Sequence, residues 1–467
     1  MKTIITILFI TLSSIGFSQA PQYIQDELQN ILDNALPNDP NPGAVMTVYV
    51  PGQWTWSGAS GSSISGMTGG TTLTPAQPSD YFRVGSISKT FTSVSILQLY
   101  EAGLLDLDDP IDTYLRPSLI NDTIQSSATV TIRQLLDHTS GIANSADNLT
   151  CQQDALANLT AFYSIEDNIY CGASQGELFT PGSSWYYSNT NYGILAMIVE
   201  EITGNDYWNY LNDSIITPLG LSNTLIPTTN EIQGNYMGCY WDLGPQTVDM
   251  SIVNPSLYKG WAEIVSNTSD LTLYFEALSN GQLIDDTTFA LMKAITPPSL
   301  FYSLGLEHTY TALMDFWGHS GSVGNTSGMY YVYIATPEFP DGYYIAYNFT
   351  YEGVSLYQNV DLPVWGLLIG YSAGIDELSH SSKLEVFPNP AADNLQIRFS
   401  STTESALTLS LYDLSGNILR SELMNKQGDS AIELSWDIRS LSNGVYILEA
   451  LDGESGIRKR ERVVVSQ

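Results

Sequence analysis

The chain has 467 residues, 43% of them apolar, which is long enough for more than one domain and too apolar to stay disordered. Asp and Glu number 49 against 16 Lys and Arg, a formal net charge of -33. That balance excludes a nucleic-acid partner, because phosphate binding demands a cationic face. The N-terminus, MKTIITILFITLSSIGFSQA, carries one Lys, an apolar run and small residues, the pattern of a secretory signal peptide over residues 1–18. The apolar run is too short to span a bilayer and none of sufficient length follows, so no transmembrane anchor is expected.

The stretch YFRVGSISKTFTSVSILQLYEAGLL holds Ser86-Ile87-Ser88-Lys89. A Ser hydroxyl attacks a carbonyl only when a base takes its proton. Positions i and i+3 share a helix face, so Lys89 reaches Ser86 if this segment is helical. Phe91, Val94, Ile96, Leu97 and Leu99 supply the apolar positions of such a helix, and Gly103 stops it. The same four-residue spacing recurs at Ser256 and Lys259, but Pro255 and Gly260 leave no room for a long helix there.

Further along come Cys151 and Cys171, which flank a polar insertion, and Cys239. Export permits disulfides; an odd count leaves at least one thiol free, and a Cys151–Cys171 pair and three unpaired thiols both fit. The four His, at 138, 308, 319 and 380, show no metal-ligand spacing, so neither metal nor other cofactor is expected. PGSSWYYSNTNYGILAMIVEEITG then holds Tyr187-Ser188-Asn189 ahead of an amphipathic helix closed by Gly204. A Tyr beside an ammonium loses its proton more easily and can shuttle it, while an Asn can hold a substrate amide. Tyr-x-Asn also occurs at Tyr207, Tyr210 and Tyr357, where a packed or surface Tyr suffices.

FWGHSGSVGNTSGMYYVYIATPEFPDGYYIAYNF reads as three antiparallel strands joined by turns, with His319-Ser320-Gly321 on the first. Gly321 lets a substrate lie against the backbone. The N–H of Ser322 and that of Ser86 then make a pair of donors for a reacting carbonyl. After it, SAGIDELSHSSK (372–383) is small and polar and reads as a linker. Residues 384–467 alternate in short runs bounded by Asn, Gly, Ser and Pro, the pattern of a small all-β sandwich.

Taken in order, Ser-x-x-Lys, Tyr-x-Asn and His-x-Gly resemble the β-lactamase and penicillin-binding serine hydrolase family, on the class C and D-alanyl-D-alanine carboxypeptidase side. LLDHTSGI (135–142) and TPGSSWYYSNTNYG (180–193) are further family-like stretches. The resemblance implies an α/β sandwich over residues 22–371: an antiparallel sheet flanked by helices, plus an all-helical region. It implies Ser86 as nucleophile, Lys89 and Tyr187 as the acid/base pair, Asn189 and His319 as substrate contacts, and a structural His138. One departure concerns the family's Ala-Gly-Gly run, matched here by Trp261-Ala262-Glu263. Another is His in place of Lys in the third motif, which lowers the expectation of efficient β-lactam hydrolysis.

FPNPAADNLQI (387–397), LYDLSGNIL (411–419), LSNGVYIL (441–448) and RKRER (458–462) resemble the C-terminal sorting domain of the type IX secretion system of Gram-negative bacteria. That implies the secretion machinery as a partner and export past the outer membrane; a carbohydrate-binding or adhesive sandwich is the alternative. The expected function is a secreted serine hydrolase acting through an acyl-enzyme on Ser86, cleaving ester or amide bonds of small or D-amino-acid-containing substrates, with a small molecule or peptide as its substrate partner. A D-alanyl-D-alanine carboxypeptidase, a β-lactamase or a silent β-lactam-binding module are the alternatives. Between Lys293 and Lys383 there is no Lys or Arg, so the third-motif sheet offers a substrate carboxylate no fixed cation, and neutral substrates are expected. Lys259, Arg83 and Arg133 are the cations that other walls of the cleft could supply.

Overall fold

The segments Gly43–Val50 and Tyr343–Phe349 are buried at every position, the mark of strands covered on both faces. They form the middle of a seven-stranded sheet. In the computed structural model the described residues are 18–36, 42–63, 74–115, 124, 126–242, 247–310, 315–334, 336, 339–352, 354–372, 383–400, 406–413, 417–425, 432–452 and 458–466. Residues 1–17 of the expected signal peptide and 373–382 of the expected linker lie outside them.

In chain order the strands of the first part are β1 (Ser18–Gln19), β2 (Gly43–Val50), β3 (Trp54–Gly61), β4 (Phe82–Arg83), β5 (Tyr240–Asp242), β6 (Thr247–Asp249), β7 (Val265–Ser266), β8 (Glu307–Tyr310), β9 (Asp315–Gly321), β10 (Thr326–Tyr333) and β11 (Tyr343–Phe349). The large sheet runs β1-β3-β2-β11-β10-β9-β8, with β1 parallel to β3 and the other pairs antiparallel. The meander read from the third motif is β9-β10-β11, in a register that sets His319 opposite Met329.

Helices Gln22–Ala35 and Thr268–Ser279 pack on this sheet. A helical region around Asn189–Thr203 makes up the rest, so the α/β sandwich with an all-helical region is present. Helix Ser88–Glu101 lies at the heart of the core and is buried on all sides through Leu97. Its apolar residues pack outward, and Phe91 stacks on Tyr274 with ring centroids 3.8 Å apart. The hydroxyls between them find partners within the core, Thr90 on the carbonyl of Ile87 and Thr92 on that of Gly260. Gly103, at φ +67°, follows its end.

Two compact units make up the chain, Met1–Ala335 with Phe339–Pro363, and Thr336–Glu338 with Val364–Gln467. The second unit holds β12 (Lys383–Phe387), β13 (Asn394–Ser400), β14 (Ala406–Tyr412), β15 (Ile418–Asn425), β16 (Ile432–Asp437), β17 (Gly444–Asp452) and β18 (Arg458–Val465). Sheets β12-β13-β16 and β15-β14-β17-β18 enclose one core that includes Leu395, Ile397, Leu409, Trp436 and Leu448, a small sandwich.

Candidate active site

Ser86 lies in a single 3-10 turn, Gly85–Ile87, that feeds directly into helix Ser88–Glu101. Gly85 adopts φ +60°, a conformation that L side chains rarely adopt, and a Cβ there would sit 2.5 Å from the nitrogen of Ser322. A Cβ on Gly321 would sit 2.1 Å from the carbonyl oxygen of Val84 and 3.1 Å from the nitrogen of Ser86. The two glycines therefore let the nucleophile turn and the end of β9 meet backbone to backbone. Two side chains from the start of β10 pin that approach: Asn325 Nδ2 donates to the Arg83 carbonyl at 2.8 Å and Ser327 Oγ to that of Val84 at 2.9 Å. The Ser322 hydroxyl donates to Glu352, and the Ser322 backbone nitrogen lies beside Gly85, next to the nucleophile.

Lys89, one helical turn on, is fully buried, and its Nζ donates to Ser86 Oγ at 3.0 Å and to the Trp261 carbonyl at 3.3 Å. Burial holds its pKa well below the usual lysine value, and the charges of Glu263 and Glu307 oppose that only in part. The Nζ lies 4.8 Å from the ring centroid of Tyr187 and 5.5 Å from that of Trp261.

Tyr187 sits two residues before helix Asn189–Thr203, whose C-cap Gly204 is left-handed. Its hydroxyl bonds Ser86, yet burial raises its pKa well above the ordinary phenol value. This corrects the expectation of an easily deprotonated Tyr: desolvation is the largest influence on the group and outweighs the Ser86 hydrogen bond, so it stays a phenol. Asn189 anchors its N–H on Asn144 Oδ1 at 3.0 Å, and its own Oδ1 is buried with no partner among the described residues, an acceptor free for a ligand N–H.

His319 is buried on β9. Its Nδ1 faces the Ser320 carbonyl at 2.5 Å, so that nitrogen carries the proton, and Nε2 accepts from the Tyr302 hydroxyl at 2.9 Å. Burial lowers its pKa, with Glu307 pulling the other way, so the ring is neutral at pH 7. His138 accepts from the N–H of Ser188 at 3.2 Å, and its ring packs 4.4 Å from that of Tyr187. Its left-handed φ of +64° turns the chain there.

Ser86, Lys89, Tyr187, His319, Gly321 and Ser322 thus lie together, with Asn189 two residues beyond Tyr187 at the start of its helix, while the repeated motifs lie apart. Ser256 and Lys259 end a 3-10 turn, Pro255–Tyr258, and Lys259 points to Glu200 at 2.6 Å and Asp206 at 2.8 Å. Tyr207 is buried with its hydroxyl on Thr92. Arg83 donates from Nη2 to the carbonyls of Ser251 and Val253, while its Nε and Nη1 are buried with no partner among the described residues. Arg133 pairs with Asp108 at 2.7 Å, so Lys259 and Arg133 are each committed to a carboxylate of the chain itself.

Tyr302 and Glu307 are neighbours that motif reading missed. Trp261, the first residue of the departing Trp-Ala-Glu run, sets its carbonyl and ring against Lys89, and Glu263 turns back to accept the N–H groups of Gly260 and Ala262. Glu307 receives Ser320 through both its N–H, 3.0 Å, and its hydroxyl, 2.8 Å. Neither Tyr302 nor Glu307 belongs to a spacing pattern, since each reaches the site by the return of β8 alongside β9. Cys151 and Cys171 are disulfide-bonded, and Cys239 is free and buried. No group of His, Cys, Asp and Glu among the described residues could hold a metal ion.

The sequence profile of the family described as Beta-lactamase matches residues 29–355, and that of the Secretion system C-terminal sorting domain matches residues 385–466. Putative penicillin-binding protein PbpX of Bacillus subtilis (strain 168) is 30% identical over 248 residues, 53% of this chain and 56% of that protein. Penicillin-binding protein 4* of the same strain is 27% identical over 247 residues, 50% and 53% respectively. The chain spans about half the length of these curated relatives. Among solved structures, a D-stereospecific amidohydrolase from Streptomyces sp. superposes with TM-score 0.63 at 29% identity, covering 72% of this chain and 97% of that one. The D-amino acid amidase of Ochrobactrum anthropi SV3 shares the fold, TM-score 0.61 at 22% identity over 76% of this chain and all of that one.

Proposed function

We propose, from the premise that the chain belongs to the beta-lactamase family, that it is a secreted serine hydrolase acting through an acyl-enzyme on Ser86. The observation that carries this is geometric: the fully buried Lys89 amine lies 3.0 Å from the Ser86 hydroxyl, and burial pushes its pKa well below the usual lysine value, towards the neutral form that a base requires. A neutral amine is a base, and an ammonium is not. Lys89 takes the Ser86 proton as Oγ attacks the substrate carbonyl. The N–H groups of Ser86 and Ser322 receive the oxyanion. Tyr187, held as a phenol, gives its proton to the leaving ester oxygen or amide nitrogen and recovers one from the Lys89 ammonium. Water then enters, the same pair removes its proton, and the acyl group leaves as a carboxylic acid. Asn189 Oδ1 accepts from a substrate N–H, and His319 lines the opposite side.

The substrates are neutral esters or amides, D-amino-acid amides among them. The D-stereospecific neighbour supports that class, and the pairing of Lys259 and Arg133 with carboxylates of the chain argues against free C-terminal carboxylates. The sorting-domain match supports delivery of the enzyme by the secretion machinery to the cell surface or beyond. The test is a fluorophosphonate label followed by peptide mass analysis. The adduct is expected on Ser86 and absent in Ser86→Ala and strongly slowed in Lys89→Ala; equal labelling of Ser86→Ala sinks the assignment.

A further inference from the structure

Behind Trp261 lies a cavity of about 490 Å³, walled chiefly by apolar groups including Leu159, Phe162, Tyr170, Met250 and Leu257. Its size falls within the range of small-ligand pockets. We propose that it is a specificity site for a large, uncharged apolar side chain on the acyl part of the substrate, an aromatic ring or a branched aliphatic group. The proposal rests on the acyl-enzyme reading and extends it.

Two features tie this cavity to the reacting centre. Trp261 borders both: its carbonyl accepts from Lys89, its ring faces the Lys89 Nζ, and it lines the cavity. On the other side Ser145 and Ala146 line the cavity directly after Asn144, the residue that anchors Asn189. In this proposal a substrate with its carbonyl at Ser86 and its amide at Asn189 directs its acyl side chain past Trp261 into the cavity.

The wall is built for this purpose rather than for the core. Helix Leu149–Ala157 buries none of its residues, yet the disulfide from Cys151 to Cys171 holds it against helix Ile165–Ala173 along the cavity. Phe162 is 74% exposed and Tyr170 60%, apolar surface on the cavity wall that the rest of the chain leaves to solvent. The charged lining residues are Asp154 and Asp167, engaged by the Tyr163 hydroxyl and by Ser164, and no Lys or Arg is among them. An anionic side chain is thus repelled and an uncharged apolar one is favoured.

The test uses the full chain and a series of D-amino-acid p-nitroanilides with alanyl, leucyl and phenylalanyl side chains. The value of kcat/KM is expected to rise at least about tenfold from alanyl to phenylalanyl, the scale of hydrophobic discrimination. Ala155→Phe, which fills the cavity, is expected to collapse that ratio towards one. Phe162→Ala, at an exposed position that folding does not need, is expected to lower it by a few-fold. Calorimetry of D-phenylalanine amide with Ser86→Ala reads the cavity without catalysis, and Ala155→Phe in that background should weaken binding. Binding that depends on Ala155 but no turnover in the wild type supports the cavity and refutes the acyl-enzyme reading. Turnover indifferent to side-chain size, or binding indifferent to Ala155→Phe, overturns the cavity proposal and leaves the acyl-enzyme standing.

Discussion

Replacing Lys89 by Met keeps most of the side chain's volume and removes the amine, and activity and stability should then move in opposite directions at neutral pH. Proton transfer by a positioned base contributes about 10²–10⁴-fold, so kcat/KM falls by that factor, about 3–5 kcal/mol of barrier. The stability effect has two parts. Met loses the hydrogen bonds to Ser86 Oγ and the Trp261 carbonyl, worth about 1 kcal/mol each. Against this, wild-type folding must strip a proton from an amine that is charged in the free chain up to its ordinary pKa of 10.5. A depressed cation pKa means that the unfolded chain binds more protons, so wild-type stability rises with pH, by about 1.4 kcal/mol per unit for one proton, until 10.5 is passed. The variant lacks this slope. It should be the less stable protein above pH 10.5 by about 2 kcal/mol, and should gain on the wild type as pH falls, overtaking it where the cost of neutralising Lys89 exceeds that. Urea unfolding of the two proteins at pH 6, 8 and 9.5, beside kcat/KM for a neutral ester, checks this. A stability difference that does not vary with pH would mean that Lys89 is an ammonium in the folded protein and is no base.

Gly321→Ala should lower kcat by about 10²–10³-fold, the cost of a displaced oxyanion donor, because the new Cβ would meet Val84 O at 2.1 Å. Overpacking of about 1–3 kcal/mol should appear in the same variant as a lower urea midpoint, and unchanged kinetics would show that β9 does not border the reacting carbonyl. Tyr187→Phe should cut kcat by about 10²–10⁴-fold while Ser86 remains open to labelling, read by comparing stopped-flow acylation with turnover. Deleting residues 384–467 should leave an active hydrolase that no longer passes the outer membrane. Loss of activity in the purified truncation would place part of the site in the deleted domain. A D-alanyl amide should be cleaved with higher kcat/KM than a D-alanyl-D-alanine peptide, and Lys259→Met should not alter that order; a preference for the free carboxylate would show a cation that the cleft does not present.

The chemistry of Ser86, Lys89, Tyr187 and His319 was legible along the chain because each lies in a local pattern whose geometry is fixed by secondary structure. A three-residue step on a helix brings a Lys to a Ser, and alternation with turn residues marks a strand. The sandwich of residues 384–467 was legible for the same reason. Glycines told in part: Gly103 and Gly204 mark helix ends by sequence, whereas the role of Gly85 depends on β9 lying 2.5 Å from the Cβ position it forgoes. Local patterns carry no burial, however, and burial decided the protonation states. Lys89 and Tyr187 read as an ammonium beside a phenol ready to ionise, but loss of water pushes the lysine pKa down towards the neutral amine and the tyrosine pKa up towards a retained acid. Lys259 read as a free cation because its partners, Glu200 and Asp206, lie more than fifty residues away in the chain. Trp261 was legible only as a departure from a family run, and Tyr302 and Glu307 carry no motif at all, since their proximity to Ser86 comes from chain segments that meet only when the sheet and the helical region close on helix Ser88–Glu101.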